Sequence, residues 1–123
     1  MKQNKFSIRK RLESFRYAFD GLRVLLREEH NARIHLIAST IVIIAGFYVG
    51  LNAYEWIAII FSIGLVITVE IINTAIESIA DFICPEKNEK IKNIKDLAAA
   101  AVLISAIIAV CIGLIVFLPK LGF

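Results

Sequence analysis

An all-α membrane protein, with an amphipathic helix on the membrane surface followed by three helices that cross it, is the fold class this 123-residue sequence predicts. Three observations lead there. The chain is 59% hydrophobic, against about 45–50% apolar residues in soluble domains, and so short a chain cannot hide the excess in a soluble core. Its uncharged runs match the thickness of a bilayer. Its positive charge is segregated, with nine of the 14 Lys and Arg in residues 1–33, four in 84–95 and the last at Lys120.

The first element is expected within residues 1–30. Ile8, Leu12, Phe15, Phe19, Leu22 and Leu26 follow a 4-3-4-3-4 spacing, which stacks them on one helix face. Arg9, Arg16, Asp20, Arg23 and Arg27 lie about a quarter turn away. A soluble packing helix would share this pattern. A span follows directly, so the reading is an interfacial helix with its basic side toward anionic headgroups.

Residues 36–54 carry no charge for 19 positions and residues 97–119 none for 23, and roughly 20 residues cross a ~30 Å hydrocarbon layer. Between them, 56–69 is uncharged and the apolar pattern continues to Cys84, interrupted by Glu70, Glu77 and Asp81. The spans are therefore placed at about 33–51, 55–84 and 96–118, within one domain over 1–123. Gly50-Leu51-Asn52 marks the turn after the first span, Pro85 ends the second helix, and 85–94 reads as a charged loop. Small residues at Ala98–Ala101, Ser105, Ala106 and Ala109 suit close helix packing in lipid.

The positive-inside rule puts the N-terminus and the 84–95 connection in the cytoplasm and the C-terminus outside, in the cytoplasmic membrane. The first apolar run begins too late for a cleavable signal and lacks a small-residue cleavage pattern. The net charge of +3 reflects this flanking, without the aromatic–basic alternation that binds single strands, so no nucleic-acid partner is expected. Cys84 and Cys111 are poorly placed to bridge each other and read as packing residues.

The candidate working centre is an acidic stripe on the second span. Glu77 and Asp81 follow Glu70 by 7 and 11 positions, within about 20° of its direction at 100° per residue. Asn73 and Thr74 flank them, completing a polar ladder roughly 16 Å tall. A carboxylate near a helix centre costs about 2.5–3.5 kcal/mol on insertion scales. With no basic residue inside any span to pair with these acids, a metal or protons are the expected counter-charge. Three helices are a thin screen against lipid, so a homo-oligomer, a small ring, is expected. Hard carboxylate oxygens suit Mg²⁺, which takes one or two of them and completes its shell with phosphates and water. Two classes stay open on these grounds: a metal-assisted group-transfer enzyme, or a proton- or cation-coupled transporter. The nucleotide motifs G-x-x-x-x-G-K-[ST], H-R-D and D-F-G are missing.

The run from Glu70 to Asp81 (EIINTAIESIAD) resembles the signature of the prokaryotic diacylglycerol kinase family, E-x-[aliphatic]-N-[ST]-A-[aliphatic]-E-x-x-x-D. Lys95-Asp96 with the following small residues and Val102 resembles the family's second block. Tyr17-x-Phe19-x-Gly21-Leu22-Arg23 and Glu29 through Arg33 resemble its N-terminal block. The resemblance covers nearly the whole chain. It implies a trimeric membrane enzyme that passes the γ-phosphate of MgATP to a lipid hydroxyl at the cytoplasmic surface.

Carried over by position, the resemblance makes Glu70 the general base and Glu29 and Glu77 the metal ligands. It makes Tyr17, Glu86, Lys87, Asn88, Lys95 and Asp96, together with Glu29 and Glu77, the nucleotide-binding set. Asn73, Asp81 and Arg33 become supporting residues of the active site. Where the family carries an Arg near position 10, this chain has Arg9, Lys10 and Arg11. Phosphoryl transfer asks for charge neutralisation, positioning and a base, which this set supplies. One family branch phosphorylates diacylglycerol and the other undecaprenol. Glu29-His30-Asn31-Ala32-Arg33-Ile34-His35 and Glu55-Trp56 resemble the undecaprenol branch, with His35 the candidate for lipid selectivity. Diacylglycerol is the alternative acceptor.

Overall fold

The computed structural model describes residues 6–123, and the first five residues of the expected 1–30 segment lie outside that range. Four helices follow in order: α1 (Ile8–Glu28), α2 (His30–Val49), α3 (Ala53–Ile83) and α4 (Glu89–Phe117), then a 3-10 turn at Pro119–Leu121. There is no strand among the described residues. Helices α2, α3 and α4 are long and apolar enough to cross a membrane.

Each helix end has an identifiable cause. Ser7 caps α1 by accepting from the Lys10 amide at 3.4 Å. Helix α1 ends without proline or glycine, on the extended backbone of Glu29, which is also the N-cap of α2. Helix ends leave unpaired carbonyls, and here the Arg33 guanidinium donates to those of Leu26 and Arg27. The sequence-predicted supporting residue Arg33 thus braces the α1–α2 joint.

Helix α2 stops at Gly50, whose φ of 76° is left-handed and open to glycine at little cost. The amides of Gly50 and Leu51 both donate to the Gly46 carbonyl, at 3.0 and 3.3 Å. Helix α3 starts with a reciprocal capping box between Asn52 and Glu55, at 2.9 and 3.0 Å. At this end of the bundle Lys120 pairs with Glu55 at 2.9 Å and reaches the Gly50 carbonyl at 3.4 Å.

Two expectations change. Residues 89–94 are helical, where the sequence reading places a loop, because the Asn88 side chain accepts from the amides of Lys90 and Ile91 and starts α4 early. The connection to α3 is thereby shortened to Cys84–Asn88, and Lys95 sits nearly two turns inside α4. The alanine cluster is also divided. Ala98 and Ser105 are buried, while Ala99, Ala100 and Ala101 are exposed, because a packed helix buries one stripe.

The 31 residues of α3 extend roughly 46 Å, well beyond a ~30 Å hydrocarbon layer. One end must therefore project from the membrane. The most extensive packing is between α3 and α4, with α2 laid on α3. The core is narrow and partly polar: Ile59, Val66, Ala80, Ala98 and Val116 are buried beside Ser62, Glu70, Asn73, Thr74 and Ser105. Most large apolar side chains on the three long helices face outward, Phe61 and Ile115 among them. On α1, Leu25 alone is buried, and Ile8, Leu12, Phe15 and Phe19 are exposed.

Candidate active site

The ladder on α3 divides by depth. Glu70 is the most buried large side chain among the described residues, 1% exposed. Asn73 and Thr74 are buried beside it, Glu77 is half-buried, and Asp81 lies in the open. The helical repeat that aligns these residues also carries them from the packed interior to the exposed C-terminal end of α3. The Thr74 hydroxyl is occupied by its own helix, donating to the Glu70 carbonyl at 2.9 Å.

Two of the acids have basic partners, which corrects the expectation that none would. Lys95 of α4 pairs with Asp81. Nε2 of His35, on α2, lies 3.3 Å from Oε1 of Glu70. Both partners come from other helices, beyond the reach of a periodicity argument on α3. The His35 contact is close without being aligned as a hydrogen bond, and Glu70 Oε1 remains buried with no hydrogen-bond partner. Such an orphan is costly in an apolar interior. One protomer therefore buries Glu70 by itself, so shielding this residue from lipid does not require a second copy.

A second orphan lies one turn away. Asn73 uses its Nδ2 to donate to Glu77 Oε1 at 3.3 Å and leaves Oδ1 buried without a partner. Glu29, at the α1–α2 joint, faces the same region. Its carboxyl is held above the ordinary value of 4.5 by burial first, then by repulsion from Glu77, Glu70 and Glu28, with His30 opposing. Two carboxylates that repel each other and a spare amide oxygen are hard-oxygen donors of the kind Mg²⁺ accepts. The residues fit that ion. Among the described residues no group of three or more His, Cys, Asp or Glu is gathered closely enough to hold a metal ion.

Beyond the ladder, the α3–α4 connection encloses an open cleft of about 600 Å³. Glu86, Lys87, Asn88, Lys95 and Asp96 all line it, as does Asp81. The five predicted nucleotide contacts that lie in and after the turn are thus gathered in one place. Lys92, which the sequence reading passes over, lines the same cleft and pairs with Asp96 at 2.6 Å. An Asp four residues after a Lys on a charged helix was its available signal. Tyr17 is not in this group. It is 67% exposed on α1 and does not line the cleft. Arg9 and Arg11 are likewise on exposed turns of α1, where Arg9 pairs with Glu13 at 3.6 Å and Arg11 lies over the Phe6 ring.

Three chemistries therefore adjoin: a cationic and anionic cleft, a hard-oxygen cluster, and a buried carboxylate with a free lone pair. Comparison with known proteins gives the arrangement a context. A family model described as prokaryotic diacylglycerol kinase matches residues 16–117. The chain is 38% identical over 120 residues to undecaprenol kinase of Bacillus subtilis, covering 98% of each chain. It is 35% identical over 94 residues to diacylglycerol kinase of Escherichia coli, covering 76% of this chain and 77% of that one. To diacylglycerol kinase of Haemophilus influenzae it is 31% identical over 107 residues, 86% of this chain and 91% of that one.

Proposed function

This chain belongs to the prokaryotic diacylglycerol kinase family, and from that premise we propose that it transfers the γ-phosphate of ATP, with Mg²⁺, to the hydroxyl of undecaprenol. It works as a single kinase domain and a homotrimer in the cytoplasmic membrane. The N-terminus and the α3–α4 connection face the cytoplasm, the C-terminus faces outside, and α1 lies along the inner surface with Ile8, Leu12, Phe15 and Phe19 in lipid.

The observation that carries this reading is the buried, unpartnered Glu70 Oε1. A buried carboxylate oxygen without a hydrogen-bond partner, close to the ionic cleft, supports the reading of Glu70 as the proton acceptor. Glu70 takes the proton from the lipid hydroxyl as that oxygen attacks the γ-phosphorus, and the bond to the ADP oxygen breaks. His35 lies against the same carboxylate oxygen, at 3.3 Å.

Glu29 and Glu77 would hold Mg²⁺, with Asn73 beside them, and the ion supplies neutralisation of phosphate charge. Glu86, Lys87, Asn88, Lys95 and Asp96 bind the nucleotide in their cleft. Lys95, steered by Asp81, presents its ammonium to the charge that develops on the transferring group. Tyr17 reaches the nucleotide from α1 once that helix is seated on the membrane. Undecaprenol is favoured over diacylglycerol by the likeness to the Bacillus subtilis enzyme along nearly the whole chain.

The test supplies purified protein in detergent with MgATP and either undecaprenol or diacylglycerol, and follows phosphate into lipid. Undecaprenyl phosphate made by the wild type and lost in Glu70→Gln is the expected result. Preference for diacylglycerol overturns the acceptor assignment. Phosphorylation of neither, with Glu70-dependent ion flux in vesicles, overturns the kinase.

A further inference from the structure

A base that takes a proton in every cycle must also lose one in every cycle. When a lipid alcohol and MgATP become a lipid phosphate and MgADP, the hydroxyl hydrogen is left over. Glu70 is poorly placed to hand it straight to water, because its side chain is 2% exposed. The groups around it are already committed. The hydroxyl of Thr74 donates to the Glu70 carbonyl at 2.9 Å. Those of Ser39 and Ser62 donate to the carbonyls of His35 and Ala58, at 2.7 and 2.9 Å. The Asn73 amide nitrogen donates to Glu77. Glu29, at the α1–α2 joint, feels the charges of both Glu70 and Glu77, and Glu29 and Glu77 are the residues assigned to the ion. On α4 the basic group is Lys95, which pairs with Asp81, three turns beyond Glu70 along α3.

One titratable contact is left. Nε2 of His35 lies 3.3 Å from Glu70 Oε1, the oxygen without a hydrogen-bond partner. From this contact, and resting on the kinase reading above, we infer that His35 is the proton acceptor behind Glu70. With the ring proton on Nδ1, Nε2 offers a lone pair. The lipid O–H bond breaks as the new O–P bond forms, and the proton goes to Glu70 Oε1. The carboxyl thereby changes from acceptor to donor, and Nε2 is the acceptor at contact distance. A small turn of the ring aligns the two. The proton passes to Nε2, and the imidazolium gives one proton to water, so that one is released for each phosphate transferred. His35 is the member of the pair from which it can leave, with 26% of its side chain exposed. Imidazole is also the side chain that gains and loses a proton near neutral pH. His35 does not touch the reacting atoms. It is a positioning residue that acts through Glu70.

Two substitutions and a small base test the pair in detergent with MgATP and undecaprenol. His35→Gln keeps a polar side chain that cannot take up a proton. Its kcat is expected to fall about tenfold to a hundredfold, part of the roughly 10²–10⁴-fold that acid–base groups supply, with KM for ATP and lipid within about twofold. His35→Ala leaves a gap beside the apolar groove that His35 lines, where a small ring can enter. Imidazole in the medium should restore part of the lost kcat. Pyrazole, of the same shape and far weaker basicity, should not. An unchanged kcat in His35→Gln overturns the inference, and so does equal rescue by pyrazole, which would make the ring a filler. No rescue by imidazole, in a variant with the wild-type thermal midpoint, overturns it too. So does a changed ratio of undecaprenol to diacylglycerol turnover with kcat retained, which would make His35 a lipid selector.

A titration without turnover decides the matter even where these variants do not fold. With isotope-labelled histidine, the His35 ring signals are followed by nuclear magnetic resonance from about pH 5 to 9, across the imidazole range, in wild type and Glu70→Gln. The midpoint should differ between the two by about one unit or more, the scale for ionisable groups in contact. An identical midpoint refutes the pair. A displaced midpoint in a protein that phosphorylates no lipid alcohol retires the kinase and leaves the pair standing. Phosphorylation lost in Glu70→Gln but kept in His35→Gln retires the pair and leaves the kinase.

Discussion

Removing one carboxylate from the Glu29–Glu77 pair should change how the protein trades protons for a divalent cation. In the free protein the Glu29 carboxyl titrates above its ordinary 4.5, through burial and the charges of Glu77 and Glu70. A carboxyl with a raised folded-state pKa is stabilising when protonated, and that contribution is lost as pH rises through the raised value. A cation competes with that proton. Apparent Mg²⁺ or Mn²⁺ affinity should therefore be weak at low pH and climb through the raised value. Below it, with one proton displaced per ion, affinity falls about tenfold per pH unit. Glu77→Gln deletes the larger of the two neighbouring ladder charges and moves the midpoint back toward 4.5, while weakening binding at neutral pH. Glu29→Gln abolishes the proton step from this group. Mn²⁺ binding by electron paramagnetic resonance, from pH 4 to 8 in nanodiscs, reads both effects without catalysis. An identical pH midpoint in wild type and Glu77→Gln would refute the coupling. Unchanged affinity in both variants would remove these residues from the metal site.

Two further substitutions probe the frame. Asn88→Ala removes the cap that accepts from Lys90 and Ile91 and should cost about 1 kcal/mol at the start of α4. Because Asn88 also lines the cleft, KM for ATP should rise more than kcat falls, and unchanged ATP kinetics would argue against this cleft as the nucleotide site. Gly46→Ala places a Cβ 2.8 Å from Trp56 and 2.9 Å from Leu51. Leu51 can rotate away, but Trp56 is packed on Phe47 with centroids 4.8 Å apart, so a loss of about 1–3 kcal/mol is expected. Thermal unfolding in detergent measures it, and a wild-type midpoint would mean the turn has room to relax.

The fold was legible wherever one helix could be read by itself. The uncharged runs in α2 and α4, the Gly50 stop and the Asn52 start are local features, and local chemistry determines them. The joint at Glu29 falls close to where the 1–30 segment and the 33–51 span were expected to meet, but its cause was not legible. No proline or glycine announces it, and what stabilises it is a guanidinium from the next helix bonded to the carbonyls of Leu26 and Arg27. The early start of α4 was hidden for the opposite reason. Residues 89–94 are charged, which suggests a loop, yet Glu and Lys are good helix formers and Asn88 was an available cap. Charge reports exposure, and an exposed segment can be helical.

The acidic stripe shows the same boundary more sharply. Its alignment on α3 follows from spacings of 7 and 11, while Glu70 is buried and Asp81 exposed because the other helices pack over the first and leave the second open. Periodicity could not assign the partners, since His35 and Lys95 lie 35 positions before Glu70 and 14 after Asp81. Those partners separate two residues that looked alike. Glu70 meets an imidazole in a dry interior and keeps a lone pair free, the condition a base requires. Asp81 meets an ammonium where 61% of its side chain is open to solvent, and an exposed ion pair contributes little to stability. Its consequence is directional. By holding Lys95 on the wall of the cleft, Asp81 fixes where positive charge stands when an anion arrives. If the cleft takes ATP as proposed, Asp81→Asn should raise KM for ATP in the kinase assay while leaving the thermal unfolding midpoint in detergent near the wild-type value, and an unchanged KM would argue against this role.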